Sequence, residues 1–147
     1  MRKVMMIGKT GCGKTTLSQR LAGLVPCYQK TQSVQVVGGD IVDTPGEYLE
    51  QRQYYKALMI TAVQADVILL LHAADEEQNG FSPGMNTLFY GKPLIGVITK
   101  TDLCRDRERL TAAREILTAA GVSGIVEMGL DSEAGLDALR RLIENIA

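Results

Sequence analysis

Eight consecutive residues, Gly8-Lys9-Thr10-Gly11-Cys12-Gly13-Lys14-Thr15, fit the pattern G-x-x-x-x-G-K-[ST] at every fixed position. Glycines let the backbone turn so that successive N–H groups converge on one point, where an anion is bound. The lysine then supplies a charge at the β- and γ-phosphates, and the Thr15 hydroxyl a ligand for Mg²⁺. Such a loop must leave a strand and open a helix, and the flanking residues fit both. Val4-Met5-Met6-Ile7 is short, apolar and strand-like, while Leu17, Leu21 and Leu24 recur at helical spacing after Thr16. The helix N-terminus adds its positive end to the same point. A chance match in a glycine-rich turn would lack these flanks. The chain is therefore expected to bind a nucleoside triphosphate through residues 8–16.

Two further motifs follow in order. Asp40-Ile41-Val42-Asp43-Thr44-Pro45-Gly46 is a short strand ending in D-x-x-G. Asp43 at its end would meet Mg²⁺, directly or through water, and the Gly46 N–H could approach a γ-phosphate with no side chain in the way. Thr99-Lys100-Thr101-Asp102 follows the apolar run Leu94–Ile98 and matches [NT]-K-x-D. Asp102 would accept hydrogen bonds from guanine N1–H and the 2-amino group, a donor pair that adenine lacks. Lys100 would lay its aliphatic stem along the base and reach back to the phosphate loop. The competing reading of this tetrapeptide is a polar cap, with Asp102 starting the next helix.

The elements that must hold these motifs are legible as an alternation of strands and amphipathic helices. Strands are expected at Lys3–Ile7, Ser33–Val37, Asp40–Asp43, Val67–His72, Leu94–Thr99 and Gly124–Glu127. Helix faces are marked by Tyr55, Leu58, Met59 and Ala62, by Leu110, Ala113, Leu117 and Ala120, and by Leu136, Leu139, Ile143 and Ile146. Val67–Leu71 and Leu94–Ile98 are apolar throughout, as central parallel strands are. Gly38-Gly39-Asp40 signals a tight turn and one antiparallel edge hairpin. The expectation is an α/β, three-layer P-loop NTPase fold, with about six mostly parallel strands and helices on both faces, as one domain over residues 1–147.

Composition narrows the partners. The 147 residues carry a formal charge of −1, so no broad electrostatic grip on nucleic acid or anionic membrane is expected. Val67-Ile68-Leu69-Leu70-Leu71 is too short to span a bilayer. The first strand begins so near Met1 that no signal or transit peptide is expected. Cys12, Cys27 and Cys104 are an odd count without metal-ligand spacing and read as free thiols of a reducing cytoplasm. His72 ends an apolar strand and reads as structural. A monomer or weak homodimer is expected.

The three motifs in this order resemble the translation-factor-like GTPases that include Ras-type and Era-type proteins. More narrowly, the chain resembles the family of ethanolamine-utilisation protein P and propanediol-utilisation protein V. The resemblance is carried by residues 8–17, by Lys30-Thr31-Gln32-Ser33-Val34, by Asp43-Thr44-Pro45-Gly46-Glu47-Tyr48 and by residues 99–102. It implies a bacterial cytoplasmic protein working at a microcompartment that degrades ethanolamine or propanediol, with a shell or enzyme partner. It implies Mg²⁺ and either GTP or ATP, since relatives are described as ATP-binding proteins or acetate kinases while the motifs indicate GTP. Thr31 is the best-placed switch threonine for Mg²⁺ and the γ-phosphate. Glu47 stands where many GTPases carry a water-orienting glutamine, and either serves as a base or caps the next helix. The S-A-[KL] base element has no equivalent. Met128-Gly129-Leu130 takes its place, offering a backbone N–H to the base. Three functions are open: a slow GTPase switch, a kinase making acetyl phosphate, and a nucleotide-stabilised adaptor.

Overall fold

In the computed structural model, which describes residues 2–9, 11–23, 35–37, 41–75, 81–104, 106–129 and 132–146, the apolar runs of the sequence become the middle of one sheet. In chain order the elements are β1 (Val4–Gly8), α1 (Lys14–Leu21), β2 (Gln35–Val37), β3 (Ile41–Asp43), α2 (Glu47–Glu50), α3 (Tyr55–Ala62), β4 (Val67–Ala73), β5 (Leu94–Thr99), α4 (Arg107–Ala120), β6 (Gly124–Glu127) and α5 (Glu133–Asn145). Short 3₁₀ turns lie at Arg52–Tyr54, Met85–Phe89 and Thr101–Leu103. The strand order is β2-β3-β1-β4-β5-β6. All neighbours are parallel except β2 and β3, which pair antiparallel with Gln35 opposite Asp43 and Val37 opposite Ile41. The edge hairpin and the mostly parallel sheet are as the sequence predicts, although the turn at 38–40 lies outside the described residues.

Alternation along the strands sorts the apolar side chains into two cores. Met5 and Ile7 of β1, Ile68 and Leu70 of β4 and Ile98 of β5 pack against Leu58 and Ala62 of α3 and Ala113 and Leu117 of α4. Val4, Met6, Leu69, Leu71 and Val97 face the other way, onto Leu17 and Leu21 of α1 and Leu136, Leu139 and Ile143 of α5. Every residue of β1, β4 and β5 is buried, which requires helices on both faces and explains why no polar alternation is seen. Leu69, Leu70 and Leu71 have no exposed surface, and each contributes about 1.5–3 kcal/mol relative to a solvated side chain. The result is three layers.

The register also fixes where ligands are met. β1 lies between β3 and β4, so the chain leaves β1 for one side of the sheet and later returns on its other side. In open sheets of this kind the crevice beyond the carboxyl ends of the strands is the binding place. The phosphate-binding motif follows β1, D-x-x-G follows β3 and Thr99–Asp102 follows β5. All three therefore meet at one edge.

Two differences from the sequence expectation have clear causes. The Met85–Phe89 turn is too short to show periodicity, yet Phe81, Met85 and Phe89 fill the core beneath it. Secondly, α4 is capped by Asp106, whose carboxylate accepts from the Glu108 N–H at 2.9 Å. Asp102 is thus not the cap of the following helix. Leu24 and Cys27 fall outside the described residues; Cys12 and Cys104 are buried thiols that form no disulfide. Among the described residues no helix is long and apolar enough to cross a membrane.

Candidate nucleotide site

Gly8 closes β1 opposite Leu71 of β4. A Cβ there would lie 2.6 Å from the Cys12 sulfur and 3.0 Å from the Leu71 carbonyl oxygen, so the loop passes too near the sheet for any side chain. Gly11 and Gly13 take φ of 83° and 94°, which side-chain-bearing residues rarely adopt. Gly13 is the N-cap of α1, and the Leu17 N–H donates to its carbonyl at 2.9 Å. Lys14 and Thr15 therefore occupy the first turn of a helix that has no acidic residue in that turn to compete with an anion.

The acidic residue that faces this turn comes from β3. Asp43 is fully buried, with Oδ1 3.5 Å from Lys14 Nζ. Thr15 Oγ1 donates to Asp43 Oδ2 at 3.1 Å. Lys14 itself is only 5% exposed. A buried carboxylate is costly unless paired, and here the pairing joins the three residues predicted for phosphate and metal. A hydroxyl and a carboxylate side by side are hard oxygen donors, a partial set that suits Mg²⁺ completed by phosphate and water. Among the described residues no group of three or more His, Cys, Asp and Glu side chains gathers elsewhere to hold a metal.

The turn after Asp43 is held by a contact that the motif did not reveal. Thr44 Oγ1, fully buried, donates to the Met6 carbonyl of β1 at 2.7 Å. The second position of D-T-P-G thereby ties that turn to the strand carrying the phosphate loop. Gly46 is buried, its carbonyl accepts from the Leu49 N–H at 3.1 Å, and α2 begins at Glu47. Tyr48 and Tyr54 stack with ring centroids 4.9 Å apart and an interplanar angle of 14°, fastening α2 to the next turn. The Glu47 side chain and residues Thr10, Thr31 and Leu130 lie outside what the structure describes, so their proposed roles have no geometry here.

The base motif reaches the same loop from β5. Thr99 Oγ1 donates to the Cys12 carbonyl at 2.6 Å and Lys100 Nζ to the Gly11 carbonyl at 2.5 Å. Lys100 has φ of 58°, a strained conformation for a non-glycine residue and one that accompanies functional turns. Asp102 sits exposed in the Thr101–Leu103 turn, and a Cβ on Gly129 would lie 3.0 Å from its Oδ1. The loop after β6 thus approaches Asp102 closely because residue 129 is glycine. The Met128 N–H donates to the Ile98 carbonyl at 2.9 Å and its side chain is buried. This commits the Met128 donor to the end of the sheet, leaving Gly129 as the backbone candidate for a base. Lys9 and Thr16 are half-buried at the two ends of the loop.

A mostly parallel sheet with this loop between β1 and α1 defines a P-loop NTPase fold of the small GTPase type. Solved structures agree on the fold. Era in complex with MgGDPNP and a segment of 16S ribosomal RNA superposes with a TM-score of 0.68 at 25% identity, over 97% of this chain and 55% of that one. Elongation factor SelB from Methanococcus maripaludis, with a GTP analogue, gives 0.68 at 22% identity, over 97% of this chain and 33% of that one. The chain spans about half the length of the Era protein it matches.

Sequence relatives narrow the class. The PduV-EutP profile, described as ethanolamine utilisation - propanediol utilisation, matches residues 1–145. Propanediol utilization protein PduV of Citrobacter freundii is 39% identical over 139 residues, covering 95% of this chain and 91% of that protein. A protein of Escherichia coli named probable acetate kinase EutP is 33% identical over 121 residues, covering 82% and 75%. The chain belongs to the PduV-EutP family.

Proposed function

We propose that this chain is a GTP-binding, slowly hydrolysing switch of ethanolamine or propanediol utilisation, located in the bacterial cytoplasm at a microcompartment. The observation that carries the reading is the junction of Lys14, Thr15 and Asp43 at the first turn of α1, with distances of 3.5 and 3.1 Å. In this reading Lys14 neutralises the β- and γ-phosphates, the amides of residues 8–16 surround them, and the Gly46 N–H meets the γ-phosphate. Thr15 and Asp43, with Thr31, would hold Mg²⁺, which when bound draws charge from the phosphate oxygens. Glu47 at the start of α2 orients the attacking water, and Asp102, supported by Lys100 and Gly129, reads guanine. The partner is a shell or enzyme component of the compartment. The chain acts as one domain, monomeric or weakly dimeric, and binds neither nucleic acid nor membrane.

A second reading, acetate kinase, is favoured by the names of the EutP relatives. It requires a cationic residue to seat acetate near the γ-phosphate, and the candidates are Lys9, Arg52 and Lys56. Arg52 and Lys56 are exposed on the turn and helix after α2. One experiment separates the readings: phosphate and acetyl phosphate production from GTP and from ATP, each with and without acetate. Phosphate from GTP, unaffected by acetate, supports the switch. Acetyl phosphate from ATP supports the kinase, and tight binding without turnover of either nucleotide leaves the adaptor.

A further inference from the structure

We propose that Gly135, in the first turn of α5, is a positioning residue for the base: its missing side chain sets where the loop after β6 meets Asp102. The proposal rests on reading Asp102 and Gly129 as the base side of the site. Nothing local to α5 calls for this glycine. Alanine is the better helix former. The Gly135 N–H donates to the N-cap Ser132 Oγ at 3.0 Å, a bond that any residue but proline would make. The reason lies across the layer. A Cβ on Gly135 would lie 2.5 Å from Met128 Cβ and 3.2 Å from Ser132 Oγ. Each Cβ is fixed by its own backbone, so turning a side chain cannot relieve the first contact. Either α5 or the end of β6 has to move.

The two are not held equally. Leu136, Leu139 and Ile143 anchor α5 in the core. Glu133 pairs with Arg20 of α1 at 2.5 Å, and Arg140 Nη2 donates to the Arg20 carbonyl at 3.0 Å. By contrast β6 is an edge strand with β5 as its one neighbour. The end of β6 therefore yields first. Met128 sits there, and its backbone joins the parts of the base side. Its N–H donates to the Ile98 carbonyl at 2.9 Å and its carbonyl accepts from the Thr101 N–H at 3.4 Å. The next residue is Gly129, which lies against Asp102. Displacing Met128 thus shifts the turn that carries Asp102 and the backbone that faces it. None of these contacts reaches residues 8–15, so the phosphate half stays in place.

The test measures affinities of GDP, ADP and inorganic triphosphate, each with Mg²⁺, by calorimetry. It compares the unaltered chain, Gly135→Ala, Met128→Gly and the double variant. In Gly135→Ala, GDP affinity should fall about three- to tenfold while ADP and triphosphate stay within about twofold. Met128→Gly loosens the same contact without adding an atom, and should lower the GDP-over-ADP ratio by a similar factor. It also removes the atom that the new methyl would meet, so the double variant should match Met128→Gly and melt higher than Gly135→Ala. Equal loss of all three ligands in Gly135→Ala overturns the proposal, because α5 has then moved onto α1 instead. A GDP preference that survives in Gly135→Ala also overturns it. Should Gly135→Ala fail to fold, Met128→Gly and the double variant decide: a lowered ratio shared by both supports the proposal, and an unchanged or unequal ratio overturns it. Equal GDP and ADP affinities in the unaltered chain overturn the base reading itself, a result distinct from each of these.

Discussion

Around the phosphate loop, Lys14, Asp43, Thr44 and Thr99 are all buried, and each makes a polar contact within 3.5 Å to another part of the site or to the strand beside it. Around Asp102 the protein is thinner. The carboxylate is exposed on a three-residue turn and rests against the backbone of Gly129. The contrast follows from what each half must do. A polyphosphate is held by charges and dipoles that act strongly only when water is excluded and the groups are fixed, so that half is built into the sheet. A base edge needs one or two oriented acceptors, which an exposed turn can supply. Phosphate binding should therefore withstand changes on the base side, while changes on the phosphate side should weaken every nucleotide alike.

The sharpest way to break that contrast is Lys14→Ala. Removing one partner of a buried charge pair costs on the order of 2–5 kcal/mol in binding and leaves the Asp43 carboxylate without this cation. Triphosphate affinity should fall at least thirtyfold for guanine and adenine nucleotides alike, and the melting temperature should fall as well. Calorimetry showing equal nucleotide affinity in the variant and the unaltered chain would remove the phosphate-loop assignment.

Asp102→Asn should act on one half alone. If Asp102 reads guanine, GDP affinity should drop about thirty- to a thousandfold, since a charged hydrogen-bond partner is lost, while ADP affinity stays where it was. Xanthosine diphosphate should gain, because its 2-oxo group accepts from the new amide. Competition against a fluorescent GDP would measure all three. Equal ADP and GDP affinities in the unaltered chain would mean that residues 99–102 form a strand-to-helix turn and loop brace without base choice.

The same contrast explains how far the sequence could be read. The phosphate half was legible because its constraints are local and severe. Gly8 cannot carry a Cβ, Gly13 must turn at the helix start, and Lys14-Thr15 must follow at once. The strands were legible because β1, β4 and β5 are buried on both faces and so are continuously apolar. What sequence did not show are contacts between distant segments with no pattern of their own. Thr44 bonding to Met6, Thr99 bonding to Cys12 and the Met128 N–H bonding to Ile98 each depend on strand register. Asp102 was open to a helix-cap reading for a related reason, since it precedes an amphipathic run and only the backbone shows that Asp106 is the cap of α4.

The smallest expected effect tests the glycine beneath Asp102. In Gly129→Ala the new Cβ would lie 3.0 Å from Asp102 Oδ1 and 3.3 Å from its Cγ, closer than such atoms normally approach. Asp102 is exposed and its side chain has room to turn, so the strain should be relieved by rotation with little loss of stability. An off-rotamer or displaced carboxylate costs about 0.5–1.5 kcal/mol, which should appear as a two- to tenfold fall in the GDP-over-ADP preference. Inorganic triphosphate, which has no base, should bind as before. Equal weakening of GDP, ADP and triphosphate would show instead that the loop after β6 supports the phosphate half, and the division between the two halves would not hold at residue 129. An unchanged GDP preference would separate Gly129 from base choice and leave Asp102 to be oriented by its own turn, Thr101–Leu103, and by the Thr101 N–H donating to the Met128 carbonyl at 3.4 Å.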